Sequence, residues 1–449
     1  MYHASIHCDR RFFLMKRLSS IIVCLFAASL LLAEGESEKI VIDVEKAVEY
    51  ANNYSRTIKS ASIDVDSKSD ARNHVLNAFL PDVSFSGTIA KPNEPKENKA
   101  EYYSAIGSAQ ISLSWGLSII EKVKKANRDY EAGVLSFEMA IRQNTRDVKK
   151  LFYHLLLQQK SLENDKATLE TTKARYDATE KSYRSGNAPR FDVLQSRVTY
   201  QNMKRDVDNA EIALERQKRE FAVVLGLSPE AKIELSGSLE AEIVELDKAK
   251  LLETYGAYES DIRSLELQIE SLDAERRVLN YDSWTPTLSF NYATKQTMTG
   301  LDKDWLDGAN WSDKGSASLS LTWNFTNALP FSNNRIKYHD LERQQEQLKL
   351  KLEQKKDDIL LDSAKLFDEL ETSSRALDSC RENIKLAEES YDLVSRAYRA
   401  GSAELIEVRD AEAELNKSRL AEQSELYTYI CALIDLEYML DLPKDWKER

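Results

Sequence analysis

The spacing of apolar residues along this chain changes period, and the same change happens twice. Val44, Ala47, Val48 and Ala51, then Ile58, Ala61 and Val65, follow the helical period, so residues 43–78 read as one helix that Pro81 stops. The period then falls to two. Val83, Phe85 and Ile89 alternate with Asp82, Ser84, Ser86 and Thr88. After a polar stretch with two prolines at 91–99, Ile111, Leu113, Trp115 and Leu117 alternate with Ser112, Ser114 and Gly116. Such a hairpin has one apolar face and one face of small polar groups. From Ile119 to Arg184 the helical period returns, with no proline and Gly133 as the one glycine; Val148, Leu151, Phe152 and Leu155 mark its apolar stripe. A helix of that length is a rod of about 100 Å and must pack lengthwise against others. Gly186 and Pro189 stop it, and a returning helix is expected over 191–225.

The order then recurs. A join at 227–246 carries a short strand at 232–235, and a helix is expected over 247–281. Leu288, Phe290 and Tyr292 mark the next strand, followed by a glycine-bearing loop over 293–316. In the strand after it, Leu319, Leu321, Trp323 and Phe325 alternate with Ser318, Ser320, Thr322 and Asn324. A second rod is expected from about 334 to 399, stopped by Gly401, and a last helix over 404–441 that Pro443 ends. Tyr183-Arg-Ser-Gly186 and Tyr398-Arg-Ala-Gly401 stand 215 residues apart, as do Tyr176-Asp177 and Tyr391-Asp392. The proline-led strands at Leu80-Pro-Asp-Val-Ser-Phe85 and Thr285-Pro-Thr-Leu-Ser-Phe290 echo each other too. The chain therefore divides into a first repeat at 34–226 with its hairpin at 80–117, the join at 227–246, and a second repeat at 247–449 with its hairpin at 285–325.

Four strands that are apolar outside and Ser, Thr and Asn inside have the alternation of a membrane barrel. The lipid face would carry Val83, Phe85, Ile111, Leu113, Trp115, Leu288, Phe290, Leu319, Leu321 and Trp323, with the two tryptophans toward the ends that lead into the rods. A half-buried sheet in a soluble sandwich would alternate in the same way. The long helices, however, are spent on packing each other and leave little to cover those faces. Lipid offers no hydrogen bonds to an open strand edge, and four strands are too few to enclose a lumen, so the chain is expected to oligomerise.

Composition agrees with long solvated helices. Charged residues make up 31% of the 449, with only 13 Gly and 8 Pro. A net charge of −13 argues against nucleic acid as a partner. Lys16-Arg17 followed by the apolar run 21–32 and Ala33 reads as a secretory signal over 1–33. Past it, Cys380 and Cys431 lack the spacing of a metal or redox motif, and either packing as free thiols or pairing as a disulfide suits them. His74, His154 and His339 lie in separate segments, and no nucleophile, phosphate-loop or zinc motif is found. No catalytic, cofactor-binding or metal-binding residue is assigned.

The proline-led amphipathic strands, the duplicated helix–hairpin–helix order and the twin Tyr-x-x-Gly turns, each leading to an acidic-Val pair, resemble the outer membrane efflux channels of the TolC-like family. The resemblance spans essentially the whole chain past residue 33. It implies a mainly α fold with membrane β: a coiled-coil α-barrel through the periplasm and a transmembrane β-barrel in the outer membrane, completed by a homotrimer. It implies a non-enzymatic exit duct of a tripartite efflux or type I secretion system. Partners would be outer membrane lipid, a periplasmic adaptor (membrane fusion) protein and an inner-membrane pump or ABC transporter. A different class, a periplasmic coiled-coil adaptor or scaffold, would have one helical hairpin beside glycine-rich β modules.

The resemblance also carries residues. Glu407 and Asp410 match the family's acidic pore constriction, and as i and i+3 they face one side of a helix. Tyr398 and Asp192 match a gate contact between the repeats. Gly186 and Gly401 match the periplasmic tip turns where an adaptor docks. Ala403 stands where the family's better-known pattern has a basic latch, with Arg190 and Arg409 as nearby basic candidates to replace it.

Overall fold

The computed structural model describes residues 39–91, 104–241, 259–299 and 306–442, with a few single positions between them. The signal read at 1–33, most of the proline loop, most of the first third of the helix expected from 247, and Pro443 lie outside these residues.

The chain opens with strand β1 (Ile40–Ile42) and helices α1 (Val44–Tyr54) and α2 (Arg56–His74). The single helix expected over 43–78 is thus two, followed by a 3₁₀ turn at Val75–Phe79. Ser55 leaves helical geometry at ψ 136, while its N–H still reaches Ala51 O at 3.0 Å. The Gly226 turn sits against this break: a Cβ on Gly226 would meet Tyr54 O at 2.4 Å. Apolar residues keep their period across the break, so spacing alone could not reveal it.

Strands β2 (Asp82–Ala90) and β3 (Ser104–Trp115) form the first hairpin. Helix α3 (Ser118–Arg184) is the first rod, and α4 (Arg190–Val224) returns along it. Gly133 lets α2 lie close to the rod, since a Cβ there would strike Lys68 Cδ at 2.6 Å. Strand β4 (Ile233–Leu235) in the join pairs in parallel with β1. Short chain-start strands such as β1 have no period to read.

The second repeat holds α5 (Glu259–Trp284), β5 (Thr287–Thr299), β6 (Ser312–Asp313), β7 (Ser316–Thr322), α6 (Asn333–Arg399) and α7 (Leu405–Leu440). The loop expected from 293 begins later, because β5 continues to Thr299 in register with β3. Trp323 lies one residue beyond β7 and stacks on Phe325 with ring centroids 4.5 Å apart. The two rods, α3 and α6, are 67 residues each, and their partners α4 and α7 are 35 and 36.

The helices lie side by side. Toward the glycine turns the order is α4, α3, α7, α6; toward the sheet it is α2, α3, α5, α6. Ion pairs mark both halves: Arg128–Glu270 at 2.8 Å joins α3 to α5, and Lys149–Glu437 at 2.6 Å joins α3 to α7. Two apolar cores hold the coiled coils. One gathers Phe152, Leu155, Leu162, Leu214, Phe221 and Leu225 with Ile42, Ile233 and Leu235 of the β1–β4 ribbon. The other gathers Phe367, Leu370, Leu377, Tyr429, Leu436 and Leu440. Cys380 and Cys431 are free thiols, and burial raises the pKa of both above the ordinary value. Among the described residues, no helix is long and apolar enough to cross a membrane.

Candidate functional site

Two regions carry the candidate chemistry: the sheet at one end and the glycine turns at the other. In the sheet, β2 pairs β3, β3 pairs β5 and β5 pairs β7, all antiparallel. Residues directly opposite in such a ladder share a face. The register therefore builds apolar rows across the strands: Val83, Ile111 and Tyr292; Leu113, Phe290 and Leu319; Trp115, Leu288 and Leu321. Phe85, opposite Ala109, extends the same face. Within one protomer this face stands open, with Phe85 80% and Leu319 and Leu321 each 70% exposed.

The opposite face is a field of hydroxyls. Ser84, Ser86 and Thr88 on β2, Ser108, Ser112 and Ser114 on β3, Ser289 and Asn291 on β5, and Ser318, Ser320 and Thr322 on β7 all fall on it. Ser86 Oγ and Ser108 Oγ lie 2.7 Å apart in a hydrogen bond across the hairpin. Expected lipid-facing residues and expected inner residues thus sort onto two different faces, Trp323 excepted, since it has left the strand. Strand β2 is one free edge of the sheet, and β7 with the short β6, both paired to β5, is the other; β2 and β7 connect to α2 and α6, which are also the outer helices of the layer.

At the far end both rods stop in the same way. Gly186 has φ 79 and Gly401 φ 77, where only glycine is unstrained. Gly186 N–H donates to Tyr183 O at 2.9 Å and Asn187 N–H to Ser182 O at 2.8 Å. Gly401 N–H donates to Tyr398 O at 3.0 Å and Ser402 N–H to Ala397 O at 2.9 Å. These are twin Schellman caps, which satisfy the last carbonyls of each rod. Nothing lies within 4 Å of a Cβ built on either glycine, so both turns present open backbone.

Glu407 and Asp410 sit in the first turns of α7 and are exposed, and among the described residues neither takes part in an ion pair. Val408 between them is buried at 4% and anchors the helix to its neighbours. Within the protomer no hydrogen bond joins Tyr398, 40% exposed, to Asp192. Arg190 is exposed at the start of α4. Arg409 turns instead into a small cleft where α3, α4 and α7 meet, lined with Thr172, Arg175, Gln195, Ser196 and Thr199. Arg175 also reaches Glu412 on α7, Nη2 to Oε2 at 2.6 Å, with both side chains largely enclosed. By pattern alone Glu412 passes for one more solvated acid on a charged helix. Its signal was available in the repeat: the position 215 residues earlier is Arg197, so the charge reverses where the two halves should match.

The family model described as "Outer membrane efflux protein" matches residues 48–227 and 251–440. Among solved structures, the outer-membrane channel OprN superposes with a TM-score of 0.71 at 19% identity, over 88% of this chain and 89% of that one. The CmeC outer membrane channel of Campylobacter jejuni gives 0.72 at 14% identity, over 88% and 84%. The MtrE outer membrane channel of Neisseria gonorrhoeae, in its open state, gives 0.66 at 16% identity, over 88% of each. At these identities the likeness speaks for the fold. A search of curated protein sequences returned no match.

Proposed function

The chain belongs to the outer membrane efflux protein family, and on that premise we propose that three copies close into one duct, the exit of a tripartite efflux or type I secretion system. It is an outer membrane channel with a helical extension into the periplasm. The observation that carries the trimer is the coincidence of edges. Strand β2 with α2 and α4 forms one side of the protomer, and β7 with α6 forms the other. Both sides leave work undone. The strand edges have unpaired backbone groups, which lipid cannot satisfy. The outer helices expose apolar side chains: Phe191, Leu194 and Val198 on α4, and Leu386 and Leu393 on α6. Leu194 and Leu393 lie at matching distances from the two glycine turns, so the helical edges can meet at one height when β2 meets a neighbour's β7. Twelve strands would then enclose the hydroxyl face as the lumen and turn the apolar face to lipid.

In this assembly Glu407 and Asp410 converge at the periplasmic mouth as six carboxylates, a ring that favours cations. Tyr398 and Asp192 would make their gate contact in the assembled tip. The open Gly186 and Gly401 turns would receive a periplasmic adaptor, which couples the duct to an inner-membrane pump or ABC transporter. The alternative class, an adaptor or scaffold, finds no support in two hairpins that each carry a one-sided amphipathic strand pair.

Cysteines placed at Ser84 or Ser86 on β2 and at Ser318 or Ser320 on β7 test the closure. Oxidation in mild detergent should yield a covalent trimer on gel electrophoresis without reductant. Only monomers, or an unlimited ladder of oligomers, would overturn the closed duct. For the ring, Glu407→Gln with Asp410→Asn should reduce cation preference, read as reversal potential under a KCl gradient in planar bilayers. Glu353→Gln with Glu382→Gln, exposed acids on α6, removes the same charge elsewhere and should leave the potential unchanged.

A further inference from the structure

Arg175 and Glu412 form the one ion pair, among the described residues, in which both side chains are less than one-fifth exposed, 16% and 15%. It joins the first repeat to the second near the tip, from α3 to α7, at 2.6 Å. Enclosure changes what such a pair does. An exposed pair is screened and mobile, whereas an enclosed one fixes the geometry of both helices, because separating the charges leaves each poorly solvated.

The position of Glu412 on α7 gives that fixation a consequence. At about 100° per residue, Glu412 lies about 170° round the helix from the midpoint of Glu407 and Asp410. The face of α7 that is clasped to α3 is therefore opposite the face that carries the two free carboxylates. Arg409 falls on the clasped side as well and enters the cleft with Arg175, Gln195, Ser196 and Thr199. Val408 and Leu415, buried at 4% and 6%, hold an intermediate face. One helix thus meets three constraints around its axis, and only the Glu407–Asp410 side is left open.

Resting on the ring reading above, we propose that Arg175 and Glu412 are positioning residues. Their clasp sets the rotation of α7 at the tip and so aims Glu407 and Asp410 away from α3, toward the pore axis. The duplication does not repeat the clasp, since Ser390 stands at the repeat position of Arg175 and Arg197 at that of Glu412. The device is single, and it ties the halves together within two turns of Glu407 and Asp410.

The test uses the full-length channel in two backgrounds. In the first, Arg175→Ala, Glu412→Ala, Glu412→Gln and the exchange Arg175→Glu with Glu412→Arg are compared in planar bilayers under a KCl gradient. Each single variant should shift the reversal potential toward zero, and the exchange should restore the parent's value. In the second, Cys380→Ser and Cys431→Ser remove the native thiols and Asp410→Cys supplies a reporter. Its reaction rate with a charged methanethiosulfonate reagent should change several-fold in the single variants and return in the exchange. Melting of the trimer on gel electrophoresis reports assembly, and Glu412→Gln keeps the side chain's shape where the alanine variants fail to assemble. Assembled single variants with the parent's potential and reporter rate would overturn the clasp. Should neutralising Glu407 and Asp410 itself leave the potential unchanged, the ring reading fails, while the reporter rate still decides the clasp.

Discussion

The two coiled coils of this protein can be laid on each other residue by residue at a spacing of 215. Phe152, Leu155 and Leu162 in the first core stand where Phe367, Leu370 and Leu377 stand in the second. Leu214, Phe221 and Leu225 stand where Tyr429, Leu436 and Leu440 do. Polar positions diverge. Val148 becomes Ser363, whose hydroxyl donates to Ile359 O at 2.6 Å, and the fully buried Ala222 becomes Glu437, paired with Lys149. Across the seam between repeats, α3 supplies bases and α7 and its C-terminal residue supply acids: Arg142 with Asp441 at 2.9 Å, Lys150 with Asp435 at 2.6 Å, Arg175 with Glu412 at 2.6 Å. The contrast teaches what each interaction is for. Packing between two helices is settled by volume, which both halves need alike. Charge is settled by what a face meets, and the faces of the two halves meet different things.

Core deletion should break the likeness hardest if it is wrong. Phe152→Ala and Phe367→Ala should each cost about 3–5 kcal/mol, read as urea midpoints of the detergent-solubilised protein. Phe152, at 1% exposure against 7%, should cost the more. A mild effect at either site would mean that only one coiled coil is a true core.

The hairpins come next. Phe85→Arg and Ile111→Arg, mid-strand on the apolar face, should each cost about 2–4 kcal/mol in membrane insertion and stability, and Ser112→Arg and Ser320→Arg far less. Heat-modifiable migration on gels after refolding into lipid would report it. Equal damage on both faces would turn the sheet into a buried sandwich layer.

Gly186→Ala and Gly401→Ala should each cost about 1–2 kcal/mol, from backbone strain alone, because nothing surrounds either Cβ position. Unequal losses in thermal midpoint would show that one turn is held by something beyond its own cap.

The smallest effect concerns a charge present in one half only. Burial, and then the neighbouring Asp206, raise the pKa of Asp165 above the ordinary carboxylate value. The matching position in the second repeat is Cys380. A raised carboxylate pKa is a penalty on the ionised form, present in full above the folded-state pKa and gone below the unfolded value. Asp165→Asn should therefore stabilise the protein at neutral pH, by roughly 0.5 kcal/mol or less, read as a higher thermal midpoint, and the gain should shrink as pH falls. A gain that is constant with pH would assign it to helix propensity instead.

Much of the molecule was legible from one dimension. Rods of 67 residues announce themselves by lacking proline, and Gly186 and Gly401 mark their ends to the residue. The strand faces follow from parity, since a period of two leaves a side chain only two choices. Less was legible where two distant segments decide the outcome. The break at Ser55 depends on the Gly226 turn, β1 exists because β4 is beside it, and β5 runs on to Thr299 because β3 continues to pair with it.

The sequence by itself determined the repeat, the periods, the stops and the apolar positions, because each depends on a residue and its near neighbours along the chain. Only the tertiary structure decided that α3 meets α5, α7 and α2 together, that β3 meets β5, and that Glu412 turns inward to Arg175 while Glu407 and Asp410 remain free. Acids on a charged helix look alike in sequence, since helical spacing says which residues share a face and not what that face touches. The partner across the seam lies 237 residues away, and it alone separates a carboxylate that joins the repeats from two that stay exposed.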